Sequence, residues 1–185
     1  MRVVAALLIA GLFNQSGSWL DRPLENWNRA GAAPPRSTGA VAAAETVLRQ
    51  CQMPPATGAA ADSVAAAGWI PLLHQDRSLT RDDIEIVAGA TAITDTCWLQ
   101  NFNLFVFVGG RYAGTLAPVP MTSQTDGWAG PVRFVENGIS VEFARYGKDD
   151  TACCPSARMT VRYQVTRGAA GAVVAPVDTR TTRSY

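Results

Sequence analysis

The sequence is poor in charge. Only 17% of its 185 residues are Asp, Glu, Lys or Arg and the net charge is +1, well below the usual quarter. Lysine occurs only at Lys148 and histidine only at His74. With neither a basic patch nor an acidic tail, the chain lacks the electrostatic footprint of a nucleic-acid binder. It also lacks the spacing that metals need. Structural zinc takes cysteine or histidine pairs about two to four residues apart, and no Cys-x-x-Cys occurs, which removes the common redox motif as well. The acidic groups Asp82, Asp83 and Glu85, and Asp149 with Asp150, lack the alternating ligands of a calcium loop. Gly109-Gly110 precedes a strand pattern, whereas a phosphate cradle opens a helix. No metal and no cofactor is expected.

Long apolar runs are missing too. Arg2 precedes the apolar run Val3 to Phe13, followed by small polar residues. As a helix this run reaches about 16 Å, against a hydrocarbon core of ~30 Å. It has the layout of an export signal, not a span, so residues 1–18 are assigned to export. Residues 19–39 carry three prolines and two glycines, which forbid long regular structure. The large apolar residues Trp19, Leu20, Leu24 and Trp27 are foreign to a plain linker. Such an arm either docks on a partner protein or folds back over its own domain; these four residues are its candidate partner contacts.

Residues 40–167 read as one α+β domain. Ala40 to Cys51 is rich in helix formers, with apolar residues at helical spacing; Met53-Pro54-Pro55 ends it. A second short helix is expected from Asp62 to Ala67. Beyond Gly68 the texture changes to strands and turns. Leu104 to Val108 and Arg111 to Thr115 flank Gly109-Gly110, and Val132 to Glu136 and Ile139 to Tyr146 flank Asn137-Gly138. Both are hairpin patterns, with Asn-Gly supplying positive φ at both central turn positions. Met159, Val161, Tyr163 and Val165 alternate with polar residues, giving one wet and one buried face. The expected architecture is an antiparallel β-meander with the N-terminal helix packed on one face. Residues 168–185 read as a flexible tail.

Cys51, Cys97, Cys153 and Cys154 form an even set behind an export signal, so two disulfides are expected. Neighbouring side chains of an extended segment diverge, and normal bridges have Cα atoms about 5.5 Å apart. A Cys153–Cys154 bond is therefore not expected; each would reach either Cys51 or Cys97 and staple the start of a strand to a distant segment.

Phe107-Val-Gly-Gly-Arg-Tyr-Ala-Gly-Thr-Leu-Ala-Pro118, Met121-Thr-Ser-Gln-Thr-Asp-Gly127, Phe143-Ala-Arg-Tyr146 and Cys153-Cys154-Pro155-Ser156 together resemble the LppP/LprE-type bacterial exported lipoproteins. The resemblance runs roughly from Glu45 to Val165. It implies an envelope-localised, extracytoplasmic and membrane-associated domain without an assigned activity. The chain departs from the family in having no lipobox cysteine after the apolar run.

A catalytic set is hard to assemble. His74 falls in Leu73-His74-Gln75-Asp76-Arg77, which reads as an exposed turn, and Ser-His-Asp chemistry needs a serine and a carboxylate beside it. The long loop from Pro118 to Pro131 is a better candidate, since loops of this length often bind. Met121, Asp126 and Trp128 there, with Arg111 and Tyr112, form a possible ligand or contact surface. The expected function is a non-catalytic accessory subunit docking on an envelope protein complex through its arm. The alternative is a small-molecule or cell-wall ligand-binding domain, and a hydrolase is the least favoured.

Overall fold

The computed structural model describes residues 18–38, 44–74 and 79–183; the export segment up to residue 17 and the first turn of the expected 40–51 helix lie outside them. A 3-10 turn at Trp19–Asp21 precedes two short helices, α1 (Ala44–Gln50) and α2 (Ala59–Ala66). Nine strands follow among the described residues: β1 (Ile70–Leu72), β2 (Leu79–Arg81), β3 (Ile84–Ile93), β4 (Leu99–Val108), β5 (Arg111–Thr115), β6 (Ala129–Val135), β7 (Gly138–Arg145), β8 (Ala157–Gly168) and β9 (Gly171–Arg183). The fold is mostly β, and the expected α+β meander with one helix-covered face is corrected to two antiparallel sheets. In the first, β1 and β2 lie end to end along one side of β3, with β4 and then β5 on the other. The second runs β6-β7-β8-β9.

Both hairpins form, the first on its two glycines and the second one residue before the expected Asn137-Gly138 turn. Gly109 and Gly110 have φ of +56° and +73° between the paired Val108 and Arg111, as a two-residue turn with two left-handed positions requires. In the second hairpin Val135 pairs with Gly138, so Glu136 and Asn137 make the turn and Asn137 has φ of +57°. Gly138 is thus not a turn residue. It begins β7 with its backbone against the Tyr163 carbonyl, where a Cβ has no room.

The alternating residues face the other sheet, not a helix. Ile139, Val141 and Phe143 of β7 and Val161 and Tyr163 of β8 are buried against Phe102, Leu104 and Val106 of β4, each such side chain contributing about 1.5–3 kcal/mol. Helix α1 sets Leu48 against the main core, while α2 packs on the outer side of the first sheet. Val64 and Trp69 meet Val87, Phe105 and Phe107 there, and Gly89 leaves the space they need. Because β3 and β4 are covered on both sides, their sequences read as continuous apolar runs, without alternation.

Residues 171–183, expected as part of a flexible tail, form β9. They pair with β8 along its whole length, from Gly168–Gly171 to Ala157–Arg183. Val174 is fully buried, but everything from Val177 to Arg183 is exposed. Only the first half of the strand has a hydrophobic signature.

The arm takes the second of its two courses and packs on its own domain. Trp19 stands edge-on to Phe143 and to Trp27, with ring centroids 5.0 and 5.6 Å apart. Leu20 is buried in the core and Trp27 contacts Tyr163. Leu24 is half-buried beside Pro23 and Pro118. Asn28 lies between β5 and β9: its Nδ2 donates to the carbonyls of Thr115 and Val174, both at 2.9 Å, and its Oδ1 accepts from Thr115 N–H at 2.9 Å. Gly114 admits the Asn28 side chain, since a Cβ there would overlap it. Further along, Trp69 Nε1 donates to the Pro35 carbonyl at 2.7 Å. The anchors assigned to a partner are therefore contacts to the domain itself.

Two tyrosines are tied to this packing. Burial beside Phe105 and Phe107 pushes Tyr112 up to about 12, with a hydrogen bond to Thr115 working the other way. Burial in the core also raises Tyr163 well above its ordinary value. A raised folded-state value means that the fold favours the neutral phenol. Stability is then intact below the unfolded value of 10.0 and is lost as the pH rises from there through about 12. Denaturant midpoints measured across that range are expected to fall, with phenolate absorbance from Tyr112 appearing only near the upper end; an ordinary tyrosine titration with unchanged midpoints would contradict the burial.

Candidate functional site

A cavity of about 180 Å³ opens at the end of the two sheets where β4 begins. Met53, Leu72, Leu73 and His74 line it from one side, Cys97, Trp98, Leu99 and Phe102 from the β3–β4 turn and β4, and Ser123 and Trp128 from the long loop. None of these residues is acidic. Trp98 is 40% exposed at the cavity.

Each wall is held by local chemistry. Thr94 braces the β3–β4 turn: its Oγ1 accepts from Trp98 N–H at 3.0 Å, and its N–H donates to the Trp98 carbonyl at 2.9 Å. Cys97 sits in this turn with φ of +66° and is bonded to Cys51 just after α1. That bridge presents Met53, whose N–H donates to the Leu48 carbonyl at 3.0 Å. Met121 pairs with Phe102 through two backbone hydrogen bonds of 2.7 and 2.8 Å, and Ser123 N–H donates to the Leu99 carbonyl at 3.0 Å. The loop is thus a strut laid on β4, which fixes the positions of Ser123 and Trp128.

The five residues assigned to a contact surface separate. Met121 is buried in the core. Asp126 is structural: its Oδ1 accepts from Arg145 Nε at 2.9 Å and Tyr146 N–H at 3.0 Å, while Arg145 Nη2 reaches Asp21 at 2.6 Å. Arg145 is itself desolvated, but these two carboxylates outweigh that and raise its value. Arg111 and Tyr112 lie beside Val108 and Phe107, at the other end of β4, roughly 20 Å along the strand from Phe102. Only Trp128 lines the cavity. Sequence reasoning missed Met53, Leu72, Trp98 and Ser123; the exposed tryptophan next to Cys97 was the available signal.

His74, expected in an exposed turn, is 5% exposed, and its ring Nε2 lies 2.9 Å from the Gly130 carbonyl. A carbonyl only accepts, so Nε2 carries the proton. Ser123 shares the cavity, but no carboxylate among the described residues completes a triad there. Among the described residues, no group of three metal-ligating side chains occurs.

The cysteine pairing departs from expectation. Cys51 is bonded to Cys97, with Cα atoms 5.4 Å apart, and Cys153 to Cys154. In an extended chain the two adjacent side chains would diverge. Residues 151–154 instead turn, with Cys154 N–H donating to the Thr151 carbonyl at 2.9 Å, so the side chains converge. Asp150 clips this exposed loop by accepting from Gly147 and Ser156 N–H at 2.6 and 2.7 Å, which holds its carboxyl below the usual range. The vicinal pair closes on itself and staples no distant segment.

The strands from β3 to β8 form a unit that is also recognisable by comparison. Residues 84–168 match the LppP/LprE lipoprotein family. The resemblance is thereby shown for these six strands, a narrower span than the Glu45 to Val165 expected. The matched family is described as lipoproteins, which supports export to the cell envelope. No helix among the described residues is long and apolar enough to cross a membrane. No curated protein and no solved structure matches the chain. The arm, α1, α2, β1, β2 and β9 lie outside the LppP/LprE segment, so the cavity has six lining residues from inside it and four from outside.

Proposed function

We propose that the protein is a non-catalytic, extracytoplasmic binding domain of the cell envelope that holds a small apolar group in the cavity beneath Trp98 and Trp128. The observation that carries this reading is the cavity itself, walled by two tryptophans, Phe102, Leu72, Leu99 and Met53. Apolar cavities of about 150 Å³ bind a benzene-sized molecule, so 180 Å³ suits one ring or a short length of alkyl chain. The expected docking through the arm is weakened because Leu20 is buried in the core and Trp19 and Trp27 pack against it. A hydrolase is disfavoured because, among the described residues, no carboxylate lines the cavity beside His74 and Ser123.

Toluene titration followed by the five tryptophan indole resonances tests this. Saturable shifts are expected at Trp98 and Trp128, with Trp19, Trp27 and Trp69 unmoved. Trp128→Ala is expected to weaken binding about tenfold, the scale of one aromatic contact. Absence of saturable shifts, or shifts spread evenly over all five indoles, would remove the proposal.

A further inference from the structure

Resting on that reading, the geometry points to a neutral ligand with an apolar body and one hydroxyl or carbonyl group, which Ser123 binds. Ser123 is 5% exposed and lines the cavity. Its N–H is used by the Leu99 carbonyl, while its hydroxyl has no hydrogen-bond partner among the described residues. Nor is that oxygen sealed in protein. Trp19 Nε1 is the one sealed side-chain polar atom without a partner among the described residues, so the Ser123 hydroxyl keeps its small access through the cavity. A buried hydroxyl is normally paired, and one left open towards an apolar cavity is a ready partner for a ligand's polar group. It can donate to a carbonyl or accept from a hydroxyl.

The walls set the charge of the ligand. Among the described residues, no Asp, Glu, Lys or Arg lines the cavity. His74, the titratable side chain of the lining, has Nε2 engaged by the Gly130 carbonyl. A carboxylate or ammonium would lose its water without gaining a counter-charge, which is strongly unfavourable. A neutral alcohol, phenol or ketone gives up far less hydration than an ion does, and regains one hydrogen bond from Ser123.

Phenol and toluene separate this inference from the reading beneath it, because they share a ring and differ in the hydroxyl. The wild-type protein is expected to bind both, with the Trp128 indole resonance as the readout. Ser123→Ala is expected to weaken phenol roughly tenfold, the upper scale of one hydrogen bond, and to leave toluene within about twofold. If the substitution changes both affinities equally or neither, or if the wild type takes toluene but rejects phenol, Ser123 is no anchor and only the apolar reading stands. If neither probe moves the Trp128 resonance, both fall.

Discussion

The double variant C51S/C97S is expected to lose about 4 kcal/mol of unfolding free energy, the chain-entropy value for a loop of this length. The bridge spans 46 residues of sequence and joins the end of α1 to the β3–β4 turn. The described part of α1 has seven residues, and a helix of about a dozen residues or fewer does not hold itself in isolation. The bridge also keeps Met53 against the cavity, so toluene affinity is expected to fall with stability. C153S/C154S is the control. Its cysteines are adjacent, so their bond closes almost no loop of the unfolded chain and its removal should leave the denaturation midpoint nearly unchanged. Guanidinium denaturation of both variants decides the matter: equal losses would show that the long bridge is not the staple.

Asn28→Ala is expected to cost about 3 kcal/mol. Its side chain is 9% exposed and makes three hydrogen bonds across the seam between β5 and β9. Truncation leaves Thr115 N–H and the Val174 carbonyl unpaired; the Thr115 carbonyl keeps Trp27 Nε1 at 3.1 Å. Each buried unpaired group costs about 1–3 kcal/mol. Asn28→Asp is expected to be at least as damaging. It retains the acceptor for Thr115 N–H but sets a carboxylate against two carbonyl oxygens. Denaturation curves give the loss, and amide exchange at Thr115 should accelerate with it. An Asn28→Ala protein within about 1 kcal/mol of wild type would mean that the seam closes without the arm.

The parts of the fold that were legible in the sequence are those governed by neighbours along the chain. Gly109-Gly110 located one hairpin and Asn137-Gly138 placed the other to within one residue, because turn geometry is local. Alternation located β7 and β8 because one face of each is buried. The same signal was silent for the exposed half of β9, where Val177 to Arg183 are held by backbone pairing to β8 and little else. It was also blind to what covers a face: Val141 and Phe143 announce burial but not whether a helix or a second sheet supplies it.

The candidate site was harder to read for the same reason. Trp128 was identified, but its partners come from residues 53, 72 to 74 and 97 to 102, which only the stacking of two sheets brings together. Ser123 carries no signal in sequence at all. Its interest lies in a hydroxyl left without a partner, a property of its surroundings.

By itself the sequence determined the family likeness over the central strands, the presence of two disulfides and the places of the two hairpins. Tertiary structure decided which cysteines pair, that the tryptophan arm closes its own domain, that a second sheet and not a helix covers β7 and β8, and where the cavity lies. The division follows from the physics. Turns and alternation depend on residues a few positions apart, whereas seams, bridges and cavities depend on which distant surfaces meet, and one chain's pattern is compatible with several such meetings.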